Sequence, residues 1–125
     1  MIHDVGIDMV EIPRITSIIE KWDLRFLLRV YSQGEIGYCD GKMNSFQHYA
    51  ARFAVKEAFL KCMGIGIFGG VPMNEIEVVN RPGGKPELKL KGKILKMTED
   101  RGISRIHVSI SHTSQHAIAV VVLEK

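Results

Sequence analysis

Three charged residues interrupt an otherwise apolar segment, FAVKEAFLKCMGIG, which runs from Phe53 to Gly66, and two of them, Glu57 and Lys61, stand four positions apart. On a helix, Glu57 and Lys61 would lie on the same stripe, because residues four apart are neighbours on the helix surface. An exposed ion pair at this spacing stabilises a helix by only about 0.2–0.5 kcal/mol. On an apolar stripe, desolvation of the two charges would outweigh that gain. The pattern therefore favours a metal ion or a phosphate group beside the pair, and an ordinary structural ion pair is the alternative.

A second carboxylate lies near the start of the chain, at Asp8. The segment Val5–Ile12 has apolar side chains at positions 5, 7 and 9, so it predicts a strand with Asp8 on the opposite face. That face can turn toward the polar stripe that carries Glu57. Two carboxylates, completed by phosphate oxygens and waters, are a common way to bind Mg²⁺. We therefore expect Asp8 and Glu57 to meet and to bind one Mg²⁺ ion.

The segment that contains the charged pair is predicted to be one long helix, over roughly residues 45–63. Gly64 and Gly66 follow it, and glycine commonly ends helices because it adopts the left-handed conformation. Arg52 and Lys56 form a second polar stripe on another side of the helix. Apolar residues fill the remaining arc, so we expect a largely buried helix whose polar stripes both face polar groups.

Shorter elements are predicted around this helix. Ser32–Glu35 has the spacing of a capping box, which indicates the start of another helix. An amphipathic helix over residues 91–101 is predicted to turn Ile94, Leu95 and Met97 inward. Further strands are predicted at residues 75–80, 87–90, 105–111 and 117–124. This order of elements predicts an α+β fold, with a mainly antiparallel sheet packed around one long central helix.

The composition is that of an ordinary globular protein. The chain has 125 residues, of which 46% are hydrophobic and 25% charged, so we expect one domain over residues 1–125. The longest apolar run, Ala117–Leu123, is far shorter than the roughly 20 residues that span a membrane. No export signal is evident at the first residues, and Cys39 and Cys62 form no close-spaced metal pair. We therefore expect a reduced, cytoplasmic protein without a membrane segment.

Positive charge is concentrated near the N-terminus. The net charge is +3, and four cations occur in a short helical region: Arg14, Lys21, Arg25 and Arg29. Nucleic acid, an acidic protein or a phosphorylated small molecule would suit such a region, and a solvated basic surface is the simpler alternative. Nucleic-acid binding is the least favoured, because the aromatic residues follow apolar patterns and do not interleave with the cations as a stacking surface would.

Three segments together resemble a known family. Residues 6–15 (GIDMVEIPRI) resemble the opening motif of the small bacterial holo-acyl-carrier-protein synthases, which are 4′-phosphopantetheinyl transferases. Residues 52–66 (RFAVKEAFLKCMGIG) resemble their second motif, and residues 107–113 (HVSISHT) are similar to their C-terminal motif. The motifs occur in the family's order in a chain of the family's length. The resemblance implies the 4′-phosphopantetheinyl transferase fold.

The resemblance also implies an activity in fatty acid biosynthesis. Members of the family transfer the phosphopantetheine arm of coenzyme A to a serine of apo acyl carrier protein and release adenosine 3′,5′-bisphosphate. By resemblance, Asp8 and Glu57 bind Mg²⁺ at the coenzyme's pyrophosphate, in agreement with the expectation from the residues alone. Lys61 would contact the same pyrophosphate, so these three residues are the expected catalytic set.

Further coenzyme contacts follow from the resemblance. Arg52 and His107 match positions around the nucleotide and its 3′-phosphate. Backbone amides near Gly64 and Gly66 can approach a phosphate, and Lys85 lies in a turn that resembles the family's Gly-Lys-Pro turn. An exposed lysine in an ordinary hairpin turn is an equal alternative for Lys85.

The resemblance gives the N-terminal cations a partner as well. Carrier proteins present an acidic helix beside the modified serine, so Arg14 is expected to contact it by motif, and Lys21 and Arg25 by helical position. Members of the family are homotrimers that hold the coenzyme between subunits, and we expect the same assembly here. The alternative activity is a Mg²⁺-dependent nucleotide pyrophosphatase, in which water would replace the serine as acceptor.

Overall fold

A computed structural model describes residues 1–66 and 69–125 of the chain. The helices are α1 (Ile12–Trp22), α2 (Leu24–Val30), α3 (Gln33–Asp40), α4 (Ser45–Met63) and α5 (Gly92–Asp100). The strands are β1 (Ile2–Glu11), β2 (Ile76–Asn80), β3 (Pro86–Leu90), β4 (Arg105–His112) and β5 (His116–Glu124). A short 3₁₀ helix, Met73–Glu75, precedes β2. The elements agree with the predicted α+β class and follow the predicted order.

The strands form two antiparallel sheets. The larger has the order β1-β5-β4, and the smaller pairs β2 with β3. In the larger sheet, Asp8 is opposite Ala119, and β5 continues the register to β4. The inner face of this sheet carries buried small and branched residues of β5 and packs against α4. The larger sheet therefore holds β1, with Asp8, against the helix that carries Glu57.

The long helix α4 begins and ends where the sequence predicts. Gly64 ends it in the left-handed conformation, at φ +69°, as expected for a glycine at this position. The predicted capping box at the start of α3 is also confirmed, because the Ser32 hydroxyl accepts a hydrogen bond from the Glu35 amide, and the Glu35 side chain accepts one from the Ser32 amide.

The second polar stripe of α4 is deeply buried. Lys56 is fully buried and donates hydrogen bonds to Glu35 Oε1 at 2.7 Å and to the carbonyls of Val30 and Met73 at 2.7 and 3.1 Å. The other oxygen of Glu35 accepts from the Val78 amide at 3.0 Å. Every proton of the ammonium group thus has an acceptor, which compensates its desolvation. The pair ties α4 to α2, α3 and β2.

In two elements, β1 and α5, some apolar side chains point away from the core. The side chains of Val5, Ile7 and Met9 point outward from β1, with exposures of 54%, 60% and 62%. In α5, Ile94 is buried, but the prediction that Leu95 turns inward is wrong, because Leu95 is exposed and the polar Thr98 takes a buried position. The Thr98 hydroxyl is satisfied by the Leu95 carbonyl at 2.7 Å, which makes its burial tolerable.

Gly6 allows β1 to approach α4 closely. A Cβ atom at this position would lie far inside contact distance of the Ala58 carbonyl oxygen and 2.8 Å from Cys62 Sγ. The nearest of these atoms belongs to the helix backbone, which cannot move aside like a flexible side chain. The absence of a side chain at Gly6 therefore sets the separation between β1 and α4, and with it the separation between Asp8 and Glu57.

Replacing Gly6 by alanine is expected to push β1 away from α4. We expect the free energy of unfolding to fall by about 1–3 kcal/mol, as is typical for overpacking of a tight core. Urea denaturation followed by circular dichroism measures this change. As a control, Gly37→Ala adds a methyl group inside α3 where no atom lies within 4 Å, so it should not lower stability and should raise it by about 0.5–1 kcal/mol. Equal stability of the Gly6→Ala protein would contradict the close-approach argument.

No helix among the described residues is both long and apolar enough to cross a bilayer.

Candidate active site

A cavity of about 300 Å³ lies where β1, α1 and α4 meet. Asp8 and Glu57 both line it, from the strand and the helix respectively. Arg14 contributes a cation from α1, and Phe53 an apolar wall from α4. The structure therefore brings together the two carboxylates that the sequence placed on separate elements, beside one of the predicted partner-binding cations.

Asp8 is nearly buried, with only 9% of its surface exposed. Its Oδ1 accepts a hydrogen bond from Lys61 Nζ at 2.7 Å, and the same ammonium donates to the Ile7 carbonyl at 3.1 Å. Lys61 thus reaches across to β1 to pair with Asp8, and the hydrogen bond to Asp8 raises the pKa of the lysine. The alternative of a simple structural pair between Glu57 and Lys61 does not describe this arrangement, because the lysine's carboxylate partner lies on the strand.

Glu57 lies beside this pair and is half-buried. Its pKa is raised to about 6, by burial first and then by the negative charge of Asp8, while Lys61 and Arg14 oppose the rise. The raised pKa of Glu57 shows that negative charge is concentrated at this point, which is the electrostatic condition for binding a cation.

The donor set fits a Mg²⁺ ion that is completed by a substrate. Asp8 Oδ2 is buried and has no hydrogen-bond partner among the described residues, so it is free to act as a ligand. No group of three or more His, Cys, Asp or Glu side chains in residues 1–66 and 69–125 forms a metal cage. Mg²⁺ commonly takes one or two protein carboxylates and fills its remaining positions with phosphate oxygens and water. Asp8 and Glu57 are the residues that would hold it, and their role as metal ligands stays a prediction.

A second, larger cavity of about 540 Å³ lies between the β2–β3 turn and β4. Lys85 and His107, both predicted to contact the coenzyme, line it together, and Arg81 and Arg105 add two cations that the sequence did not single out. His107 pairs with Glu124 on β5, which holds the imidazole at the cavity wall. This basic cavity has the charge that a phosphate group requires.

The remaining predicted coenzyme residues lie elsewhere. Arg52 is buried in the core, with 3% of its surface exposed, and it does not line either of these cavities among the described residues. Gly64 and Gly66 are exposed at the end of α4, next to the two residues outside the described ranges. Lys85 and His107 therefore line one of these cavities and Arg52 does not, and the coenzyme contacts of all three stay predictions.

The cations near the N-terminus lie on α1 and α2. Lys21 and Arg25 are exposed, and so are three large apolar residues of the same region, Trp22, Leu24 and Leu28. The sequence reading missed these apolar residues, although each is large and lies next to a charged residue. Together they form a mixed basic and apolar surface, which suits a protein partner better than a simple polyanion.

Similarity to known proteins identifies the family of this chain. The model of the 4′-phosphopantetheinyl transferase superfamily matches residues 4–121, and the chain belongs to this superfamily. Within it, the chain is an enzyme of the holo-acyl-carrier-protein synthase group. The synthase of Syntrophus aciditrophicus is 52% identical over 124 residues, which cover 99% of this chain and 97% of that protein. The synthase of Geobacter sulfurreducens is 49% identical, over 100% of this chain and 99% of that protein.

Solved structures agree with this assignment. The crystal structure of the synthase from Neisseria meningitidis superposes with a TM-score of 0.92, at 34% identity, and covers 100% of both chains. The Helicobacter pylori synthase in complex with coenzyme A superposes with a TM-score of 0.82, at 33% identity, over 96% of this chain and 99% of that chain. The similarity therefore extends over the whole fold and includes a relative that binds coenzyme A.

Proposed function

We propose that this enzyme transfers the 4′-phosphopantetheine group of coenzyme A to a serine of apo acyl carrier protein, in a Mg²⁺-dependent reaction that releases adenosine 3′,5′-bisphosphate. The observation that carries the proposal is the arrangement of Asp8, Glu57 and Lys61. It combines two adjacent carboxylates, one with a free buried oxygen, and a lysine that stays protonated. Such a set suits a metal-bound pyrophosphate.

The proposed reaction is an in-line displacement at phosphorus. The serine oxygen of the carrier protein forms a bond to the phosphorus atom that bears the pantetheine arm. The bond from that phosphorus to the bridging oxygen of the pyrophosphate breaks, and the bisphosphate leaves with the electron pair. The serine proton passes to a water molecule held by the carboxylates. When bound, Mg²⁺ neutralises the pyrophosphate and stabilises charge on the leaving oxygen.

Lys61 is proposed to supply positive charge to the leaving group. Its hydrogen bond to Asp8 raises its pKa, so the ammonium form persists throughout the neutral range. A lysine that holds its proton this firmly is better suited to stabilising charge than to donating the proton. Phosphoryl transfer depends mainly on such positioning and charge stabilisation.

The basic cavity is proposed to bind the nucleotide end of the coenzyme. Lys85 and Arg105 give it positive charge, which matches a 3′-phosphate, and His107 lines the same cavity. This cavity is separate from the carboxylate cavity in one chain. We therefore propose that a site with both parts forms between copies of the chain, and the family resemblance implies that the assembly is a homotrimer.

An exposed apolar face of the larger sheet supports self-association. It consists of three exposed residues of β1 and three half-buried residues of β5: Val5, Ile7, Met9, Ile118, Val120 and Val122. We call it the outer apolar face. On β4 it continues into His107, Ser109 and Ser111, so it extends from the strand of Asp8 to the strand of His107. A contiguous apolar face of this kind marks an interaction surface. We infer that a second copy covering it would bring the carboxylate cavity of one chain near the basic cavity of the other.

The acyl carrier protein is proposed to dock on α1 and α2. An acidic helix would find the cations Lys21 and Arg25 there, with Trp22 and Leu28 for apolar contact. Arg14, at the rim of the carboxylate cavity, would lie closest to the reacting serine.

Reversing the charge of Arg25 is expected to weaken this docking. For Arg25→Glu we expect the KM for the carrier protein to rise about tenfold and its salt dependence to weaken, because like charges would then meet at the interface. The KM for coenzyme A should not change. Steady-state assays at several salt concentrations test this, with Lys96→Glu on the exposed side of α5 as the control. An equal rise in both KM values would contradict the docking surface.

The proposed reaction is tested by mass spectrometry of apo acyl carrier protein after incubation with the enzyme, coenzyme A and Mg²⁺. A mass gain of one phosphopantetheine group is expected. The alternative, a Mg²⁺-dependent pyrophosphatase, predicts release of adenosine 3′,5′-bisphosphate without any carrier protein. Release that requires the carrier protein supports transfer, and equal release in its absence supports the pyrophosphatase.

We also propose that the 125 residues act as one domain and that the enzyme works in the cytoplasm. Two buried free thiols, Cys39 and Cys62, support a reducing environment.

A further inference from the structure

Lys61 pairs with a carboxylate that is expected to bind a metal ion. Its Nζ donates to Asp8 Oδ1 at 2.7 Å and to the Ile7 carbonyl at 3.1 Å. The other carboxylate oxygen, Asp8 Oδ2, is buried and has no hydrogen-bond partner among the described residues. A lysine ammonium and a divalent ion on the same carboxylate would repel each other at close range. The chain therefore supplies a positive group of its own that competes with a metal ion for Asp8.

The two carboxylates of the cavity have two cations as neighbours. Asp8 and Glu57 line the carboxylate cavity together with Arg14, and Lys61 pairs with Asp8. Each cation offsets part of the negative charge that would attract a metal ion. A metal ion that binds alone therefore meets less negative charge than two carboxylates would offer. A metal ion that binds together with a pyrophosphate brings an anion, which is a new partner for a displaced cation.

Lys61 is able to leave Asp8, in contrast to the other lysine of α4. Its side chain is 56% exposed, and its flexible four-carbon chain can redirect the ammonium group. Lys56 is fully buried and donates to three acceptors on other elements, so it cannot turn away without leaving a buried charge unpaired. The two lysines of one helix therefore differ in kind: Lys56 is fixed in the core, and Lys61 is free to change its partner.

We propose that Lys61 exchanges partners: it pairs with Asp8 in the free enzyme, and with the pyrophosphate of coenzyme A once Asp8 holds a metal ion. The lysine thereby makes the binding of metal and the binding of coenzyme depend on each other. By linkage, the factor by which coenzyme tightens metal binding equals the factor by which metal tightens coenzyme binding. The inference rests on the proposed function for the identity of the pyrophosphate.

The exchange is tested by measuring how strongly the two ligands assist each other. Mn²⁺ replaces Mg²⁺, because electron paramagnetic resonance reports the concentration of free Mn²⁺. Its binding is measured with and without coenzyme A, in the absence of carrier protein, after correction for the binding of Mn²⁺ to free coenzyme. For the wild type we expect coenzyme A to tighten Mn²⁺ binding by about tenfold to a hundredfold, which is the range of a typical coupling between two sites.

Lys61→Met removes the ammonium group and keeps a side chain of similar length. Without coenzyme it should bind Mn²⁺ about tenfold more tightly than the wild type, because no cation then competes for Asp8. With Mn²⁺ present it should bind coenzyme A about tenfold more weakly, the effect of losing a hydrogen bond to a charged group. Coenzyme binding without Mn²⁺ should change by less than about threefold. The coupling between the two ligands should therefore fall about tenfold.

A lysine that stayed on Asp8 throughout would give a different pattern. Its removal would change the affinity for each ligand by the same factor whether or not the other is present, so the coupling would be unchanged. That result would overturn the exchange. A lysine that only holds Asp8 in place would weaken Mn²⁺ binding when it is removed, and this would overturn the exchange as well.

A matched control comes from α5. Lys96→Met removes an exposed lysine that pairs with Asp100, and it should change neither affinity nor the coupling. It thereby shows whether the loss of one positive charge anywhere on the chain is enough to alter Mn²⁺ binding. Because most of the Lys61 side chain is exposed, Lys61→Met should fold like the wild type, and circular dichroism measures this.

These binding measurements keep the inference separate from the proposed function, because they do not depend on transfer. If the wild type shows the coupling and Lys61→Met loses it, but no carrier protein is modified, the proposed function fails and the exchange stands. If transfer is observed and the coupling is the same in Lys61→Met as in the wild type, the exchange is wrong and the proposed function stands.

Discussion

Glu57→Gln is expected to abolish Mg²⁺-dependent transfer while leaving the protein folded. Loss of one of two metal-binding carboxylates removes several kcal/mol of transition-state stabilisation, so we expect the rate to fall about 10³-fold or more. Transfer is measured by mass spectrometry of the carrier protein over time. Glu99→Gln, an exposed acid on α5, serves as the control and should retain full activity. Near wild-type turnover of Glu57→Gln would reject the metal-binding role.

The same substitution is expected to stabilise the metal-free protein above pH 6. The pKa of Glu57 is raised from 4.5 to about 6 in the folded chain, so ionisation of this group favours unfolding. This penalty is absent below pH 4.5 and fully present above pH 6. Because Glu57 is half-exposed, we expect a gain of no more than about 1 kcal/mol at pH 7–8, which should disappear near pH 4.5.

Thermal unfolding at several pH values measures this effect. Addition of Mg²⁺ should narrow the difference, because the ion stabilises only the wild type. If Glu57 were merely part of the packing, its substitution would lower the free energy of unfolding, with no pH dependence in this range. Such a result would contradict the electrostatic account of the site.

Val5→Asp is expected to dissociate the proposed homotrimer. Val5 belongs to the outer apolar face but lines neither of the two cavities described, and 54% of its surface is exposed in the isolated chain, so the substitution should not prevent folding. An unpaired charge in the core of an interface costs several kcal/mol, which corresponds to a rise of about 10³-fold in the dissociation constant. Transfer should be lost in parallel, because the proposed site is shared between two copies.

Light scattering coupled to size-exclusion chromatography measures the assembly. Leu95→Asp changes an exposed apolar residue on α5 and should leave both the mass and the activity unchanged. A wild-type protein that is monomeric, or a monomeric Val5→Asp protein with full activity, would contradict the shared site.

Much of the fold follows from local features of the sequence. The bounds of α4, the left-handed Gly64 and the capping box at Ser32 are fixed by short-range chemistry, and all three agree with the structure. Local features do not fix which face of β1 is turned toward the core. Alternation places Val5, Ile7 and Met9 on one face, but it does not say whether that face meets the core or a second chain. The close approach at Gly6 decides it, and that is a tertiary contact.

The candidate site, too, can be predicted from the sequence only in part. The types and spacing of Asp8, Glu57 and Lys61 in the sequence alone indicate a metal or phosphate site. That Lys61 pairs with Asp8 depends on how β1 packs on α4, which no spacing within the helix reveals. Arg52 shows the same limit, because its motif position predicts a ligand contact, which stays a prediction, while its burial and its bond to Asn80 depend on how α4 packs beside β2.

Anomalous diffraction from crystals grown with coenzyme A and Mn²⁺, used as a visible substitute for Mg²⁺, tests the metal site most directly. We expect one strong anomalous peak between the carboxylates of Asp8 and Glu57, in contact with the pyrophosphate of the coenzyme. A coenzyme bound with no peak between these two side chains, or with the ion held by other residues, would contradict it.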